Sequence, residues 1–143
     1  MMSMQRRTLL LSIRPEHARK IFAGTKKVEL RKVRPRVSTG DRVLVYVSSP
    51  RRALAGAFSV KSIVSDSPKR LWNTVKDFAG VSKACFDDYY GDALIGHGIV
   101  IDKVQLLGRE LPLEFLRQRI PGFHPPQCYR YLLNTQVQHM FAI

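Results

Sequence analysis

"RVLVYVSSPRRALAGAFSVKSIV", residues 42–64, decides the architecture. Its first part is apolar on both faces of a strand, Val43, Val45 and Val47 against Leu44 and Tyr46, the pattern of a strand covered from two sides. "SSPRR" interrupts the run. "ALAGAFSVKSIV" then continues as a long strand in which Gly56 marks a bend or a bulge. There is no room for a helix between the two. Parallel neighbours need a crossover of a dozen or more residues, so this spacing predicts a curving antiparallel sheet rather than a doubly wound parallel one.

Upstream, "TLLLSI" (8–13) reads as a short buried strand. Pro15 suits a first helical position. Ala18, Ile21 and Phe22 recur at three- and four-residue steps, and Gly24 supplies a left-handed stop, so a short helix follows. The next strand puts Val28 and Leu30 on one face and Lys27, Glu29 and Arg31 on the other. Downstream, Ser67 before Pro68 starts a helix with Leu71, Trp72, Val75 and Phe78 on its core face, expected to stop at Gly80. "SKACFDDYYG" is a second helical stretch. Residues 94–107 form another long strand, with Gly96 and Gly98 where a wall bends. A short helix, "PLEFLRQRI", precedes "PGFHPPQCYRYL" and a tail. The expectation is an α+β, mainly β chain: a small closed or nearly closed barrel of about five to six strands with helices inserted between them. Neither repeat nor linker is visible, so residues 1–143 are read as one domain.

The composition, 45% hydrophobic and 24% charged, is that of a folded globular chain. Its charge is unusual: 24 Lys and Arg against 11 Asp and Glu give +13. Residues 1–70 carry all of that excess, and residues 71–143 are balanced. Gathered on one side of a domain, such a half forms a basic face suited to a polyanion. An anionic membrane fits less well, because no segment joins a basic face to a large apolar one. Cys85 and Cys128 are far apart, and His17, His97, His124 and His139 are scattered. No metal site and no cofactor are therefore expected. Two thiols, and an apolar run too short for a signal peptide after Arg6 and Arg7, point to the cytoplasm.

"FAGTKKVELRK" (22–32) carries the chemistry. Glu29 and Arg31 share a strand face. Lys26 has the wrong parity and joins them only from a turn or bulge. Together they offer donors for a phosphate or a base carbonyl and an acceptor for an exocyclic amine, which suits a nucleotide better than a simple anion. An exposed hairpin with screened ion pairs is the plain alternative.

Read as G-x-K-x-x-E-x-R on Gly24, Lys26, Glu29 and Arg31, after "LLSIRPEHARKIF" and before "STGDRVLVYVSSP", this span resembles the ASCH domain (activating signal cointegrator homology). That family is a branch of the PUA-like superfamily of small β-barrels. "YYGDALIGHGIVI" and "HPPQCYRYL" resemble the closing strand and ending of bacterial single-domain members, so the likeness runs over about residues 8–132. It implies a PUA-like barrel with a cleft, lined by the motif beside an inserted helix, that binds RNA or a nucleotide. One branch hydrolyses N4-acetylcytidine with a lysine, a threonine and a glutamate, and ribonuclease activity has also been proposed in the family. Here the lysine would be Lys26, but Glu29 occupies the threonine position, and Asp87 or Asp88 would stand for the third residue. A carboxylate cannot replace a hydroxyl nucleophile without a change of mechanism.

The reading is thus an RNA- or nucleotide-binding module. A small hydrolase acting on a modified nucleoside or on RNA, through Lys26, Glu29 and Arg31, is the alternative. A protein-interaction subunit of a transcription-linked complex is a third. A carboxylate flanked by two cations is a weak base, which favours binding. Tyr46, Ser48 and Ser49 at the end of the central strand, Arg51 and Arg52 in the following turn, and Tyr90 as a stacking ring complete the candidate ligand-binding set. Arg34 and Arg36 extend the basic face, and Tyr129, Arg130 and Tyr131 are expected near the barrel mouth.

Overall fold

The computed structural model describes residues 8–142. Arg6 and Arg7 lie outside them. In chain order the elements are β1 (Thr8–Ile13), α1 (Pro15–Ala23), β2 (Val28–Arg31), β3 (Arg42–Val47), β4 (Ala53–Asp66), α2 (Pro68–Val75), α3 (Lys83–Tyr90), β5 (Gly96–Pro112), α4 (Leu113–Arg119), β6 (Tyr129–Leu132) and α5 (Asn134–Phe141). The strands form one six-stranded sheet in the order β2-β5-β4-β3-β1-β6. β3 and β4 pair antiparallel, as the short turn between them requires. β1 and β3 are parallel, with α1 and β2 in the crossover.

The sheet curls into a half-barrel. Leu9, Leu11 and Ile13 of β1, Val43, Val45 and Val47 of β3, Phe58 and Ile99 point to its inside, where Ala18 and Ile21 of α1 plug it. The alternate residues, Leu10, Leu44, Tyr46 and Leu54, face outward under Leu113 and Leu116 of α4 and Met140 of α5. α2 and α3 lay Leu71, Val75, Phe86 and Tyr90 over Val28 and Leu30. This two-sided covering explains why β3 is apolar on both faces.

β4 bulges beside Gly56. Ala55 is the extra residue of a bulge, since Val45 pairs with Gly56 and Tyr46 with Leu54. A Cβ at Gly56 would lie 2.4 Å from the Gln105 carbonyl oxygen and 2.5 Å from the Phe22 ring. Only glycine lets α1 sit this close to the sheet.

Two boundaries depart from the sequence reading. α2 ends at Val75 instead of running to Gly80, and β5 continues to Pro112. The end of "PGFHPPQCYRYL" is an edge strand, β6, paired with β1, and the expected tail after it forms α5. Its few apolar residues (Val137, Met140, Phe141) pack on the outer face, a stripe too narrow to stand out by periodicity. The mainly β, curled sheet is the one expected, and its seam is where β2 and β6 are the two sheet edges, with no ladder joining them among the described residues. Side chains bridge the gap instead. The Arg31 guanidinium donates to the Ser12 carbonyl, and the Arg36 N–H donates to the Tyr131 hydroxyl.

Candidate functional site

The motif residues stand where β2 faces the end of β1, behind the turn that ends α1. Gly24 takes a φ of 83° and its N–H returns to the helix. The Thr25 and Lys26 N–H groups both donate to the Lys20 carbonyl. This turn, before β2 begins, sends the Lys26 side chain inward, where it is 2% exposed. Its Nζ donates to the Ala79 carbonyl at 2.6 Å, and Lys20 Nζ donates to the Gly80 carbonyl at 2.8 Å. The segment after α2 is thus held by two ammonium groups. Glu29 and Arg31 follow on the inner face of β2. Glu29 pairs across the ladder with Ile99 of the inner core. Arg31 Nη2 lies 3.4 Å from Glu29 Oε2 and 3.4 Å from the Ser12 carbonyl, both long for charge-assisted bonds.

Electrostatics tie these groups together. Burial pushes the Lys26 ammonium below its usual value; Glu29 opposes that shift, and Lys20 and Arg31 add to it. His17, from the first turn of α1, is held below the ordinary imidazole value by burial and then by the charge of Lys26. Two buried polar atoms here, His17 Nδ1 and Arg31 Nε, have no hydrogen-bond partner in the protein. Such orphans are uncommon inside proteins. His17 belongs to no recognisable motif and escaped the sequence reading. Its one signal was a position three residues before Lys20 on the helix, which puts both on one side.

The remaining candidates divide between the two faces of the sheet. Tyr46 is 3% exposed and faces outward, where burial raises its phenol against the opposing effect of a hydrogen bond from Arg52 and of Arg117 nearby. Ser48 is half-buried, its N–H donating to the Ile13 carbonyl, and Ser49 is exposed. Arg51 pairs with Glu110 of β5. Arg52 takes a φ of 51° in the turn. Tyr46 is therefore not gathered with Lys26, Glu29 and Arg31, since parity in β3 turns it to the outer face of the sheet; Arg51 and Arg52 stand in the turn between β3 and β4.

Tyr90 is 2% exposed, and its hydroxyl donates to the Arg31 and His97 carbonyls. Its ring packs between Phe86 and Tyr89 and offers no free face. Tyr89 is 41% exposed, with Lys32 Nζ 5.0 Å from its ring centroid; burial raises its phenol, and the charge of Arg31 opposes that shift. Asp87 pairs with Lys83 on the exposed side of α3. Lys27, Lys32, Arg34 and Arg36 are exposed around β2 and the loop after it. Tyr129 packs on the inner core, whereas Arg130 lies over the Phe123 ring on the outer side.

A hollow of about 310 Å³ lies elsewhere, at the far end of the sheet, against Thr8, Gly40, Arg42, Ser59, Lys103 and Gln105. It touches none of the motif residues. Among the described residues no group of three His, Cys, Asp or Glu is arranged to hold a metal ion, and no helix is long and apolar enough to cross a membrane.

Comparison with known proteins shows one family by its model. The model of the ASCH domain matches residues 11–99. An ASCH domain-containing ribonuclease of Zymomonas mobilis is 25% identical over 138 residues, 96% of this chain and 93% of that protein. The crystal structure of ASCH from Zymomonas mobilis superposes with a TM-score of 0.89 at 25% identity, covering 95% of this chain and 94% of that one. The N-terminal domain of Staphylothermus marinus McrB shares the fold alone, at TM-score 0.59 and 8% identity over 93% of this chain and 92% of that one.

Proposed function

Because this chain belongs to the ASCH domain family, we propose that it binds RNA and takes one nucleotide into the opening lined by Glu29 and Arg31. The observation that carries this reading is the pair of buried orphans. Arg31 Nε is a donor without an acceptor and His17 Nδ1 lacks a partner among the described residues; both atoms are closed off from solvent, so a guest with a carbonyl or phosphate oxygen and an amine completes them when the long Arg31 contacts to Glu29 and Ser12 part. Tyr89 at the rim offers a ring for stacking, and the exposed Lys27, Lys32, Arg34 and Arg36 suit a backbone. Lys26 sets the shape and charge of the floor while its ammonium holds Ala79.

Fluorescence anisotropy of a labelled single-stranded RNA tests the reading. Log affinity should fall linearly with log salt, with a slope of about −0.7 per phosphate contacted. Arg31→Ala and Glu29→Gln should each weaken binding by about tenfold or more, as expected for charged hydrogen bonds. An affinity indifferent to salt, or to both substitutions, removes the proposal.

The name of the Zymomonas relative, aligned over nearly its whole length, favours RNA cleavage as a second reading. Glu29 is then the general base, and Arg31, with Lys26 behind it, faces the charge that builds on the phosphorane. Incubation of single-stranded RNA with the purified chain, in the presence and absence of a chelator, decides it. Cleavage by the native chain that Glu29→Gln and Arg31→Ala abolish supports the reading, and intact RNA ends it.

A further inference from the structure

The register of the sheet extends the opening beyond the motif. Arg31 on β2 stands directly opposite His97 on β5, and His97 stands opposite Ser65 on β4. Residues paired across a ladder point to the same face. One step further in, the same three strands align Glu29, Ile99 and Ile63, and Ile99 belongs to the inner core. The row Arg31, His97, Ser65 therefore lines the inner face at its lip. Val64 and Leu30, one residue away, turn to the other side under α2 and α3.

Within the row, Ser65 Oγ lies 2.7 Å from His97 Nδ1. His97 is half-buried and Ser65 exposed, and the charge of the exposed Arg34 reaches the imidazole. When the serine hydroxyl donates to Nδ1, the ring proton of a neutral imidazole sits on Nε2, which becomes an outward donor of fixed direction. A donor of this kind, next across the ladder from Arg31, suits a phosphate oxygen.

We propose that His97, oriented by Ser65 and paired across the ladder with Arg31, is a phosphate subsite, adjoining the Glu29–Arg31 opening, that holds the phosphate of a nucleotide seated there. The inference rests on the nucleotide-binding reading, because the opening supplies the place for the nucleoside. It adds a preference: nucleotides above nucleosides, and a strand whose backbone leaves across β5 towards β4. His97 binds phosphate, and Ser65 is a positioning residue that acts through the imidazole.

Two measurements test it. The first titrates inorganic phosphate alone into ¹⁵N-labelled protein and follows the Arg31 Nε and His97 ring resonances. Both are expected to shift, with the shift at Arg31 lost in His97→Ala. In Ser65→Ala the ring should lose its preference for the Nε2–H form and bind phosphate more weakly, an effect that a merely structural serine would not produce. The second compares the four ribonucleosides with their monophosphates. The phosphate should tighten binding of the preferred nucleoside by about tenfold, and His97→Ala should remove that gain while changing the affinity of the nucleoside itself much less. Phosphate that leaves Arg31 and His97 unmoved, or a gain that survives His97→Ala in a variant of native melting temperature, overturns the subsite. If phosphate binds but no nucleoside or nucleotide does, the subsite stands as an anion site and the nucleotide opening fails.

Discussion

The ammonium of Lys26 is bound to the carbonyl of Ala79 across 53 positions of sequence, at 2.6 Å and out of contact with water. A motif lysine is thereby a structural tie. Lys26→Ala removes the donor and a fully buried stem, so it is expected to cost about 2–5 kcal/mol in chemical denaturation. Lys26→Met keeps the stem and should cost about 1–3 kcal/mol, the penalty of an unsatisfied carbonyl. Equal losses in the two variants would mean that packing contributes nothing here. RNA-binding data on either variant are interpretable only beside its melting curve.

Gly56 and Phe22 form the closest approach between α1 and the sheet. Gly56→Ala should destabilise the chain by about 2–3 kcal/mol through overpacking. Adding Phe22→Leu should recover only part of that, because the Gln105 carbonyl oxygen, equally close, belongs to the backbone of β5 and cannot step aside. Full recovery in the double variant, measured by urea denaturation, would contradict this geometry.

Acid should weaken the fold through His17. Its folded pKa lies below the ordinary 6.5, so above that pH the ring is neutral in both states and adds no pH dependence. As the pH falls below 6.5 the unfolded chain takes up the proton first, and stability is lost progressively until the folded pKa is passed. His17→Gln should flatten the stability profile between about pH 6.5 and pH 5.5, the range below an ordinary imidazole pKa and above most carboxylates. A slope identical to that of the native chain would rule out the assignment.

Tyr90 joins α3 to the lip of the opening through the Arg31 and His97 carbonyls, each at 3.3 Å. Tyr90→Phe preserves the ring and should cost about 1 kcal/mol. Hydrogen exchange should rise at the amides of Arg31 and His97 before it rises in β3. Uniform acceleration across the sheet would show that the phenol has no local role.

The short turn and two-sided apolar pattern at 42–64 made the antiparallel β3–β4 pair legible, and Pro15 and Gly24 bracketed α1, because these features act over a few residues. The ASCH resemblance named the curled sheet that the strands build. What escaped were relations set by the third dimension. Tyr46 reads as part of the opening along the chain, yet strand parity turns it to the opposite face. Tyr89 and Tyr90 are adjacent and look interchangeable, but helix phase buries the second beneath α2 and exposes the first. His17 and His97, 80 positions apart by their numbering, share no spacing signal, and only the curl of the sheet brings one to the floor and the other to the lip.

The seam between β2 and β6 makes the two ends of the sheet separable. A ring of continuous strand pairing can open only by breaking a ladder. Here the two lips are tied by Arg31 to Ser12 and by Arg36 to Tyr131, contacts that can part while every strand pair stays whole, so this seam is where the wall would give way first.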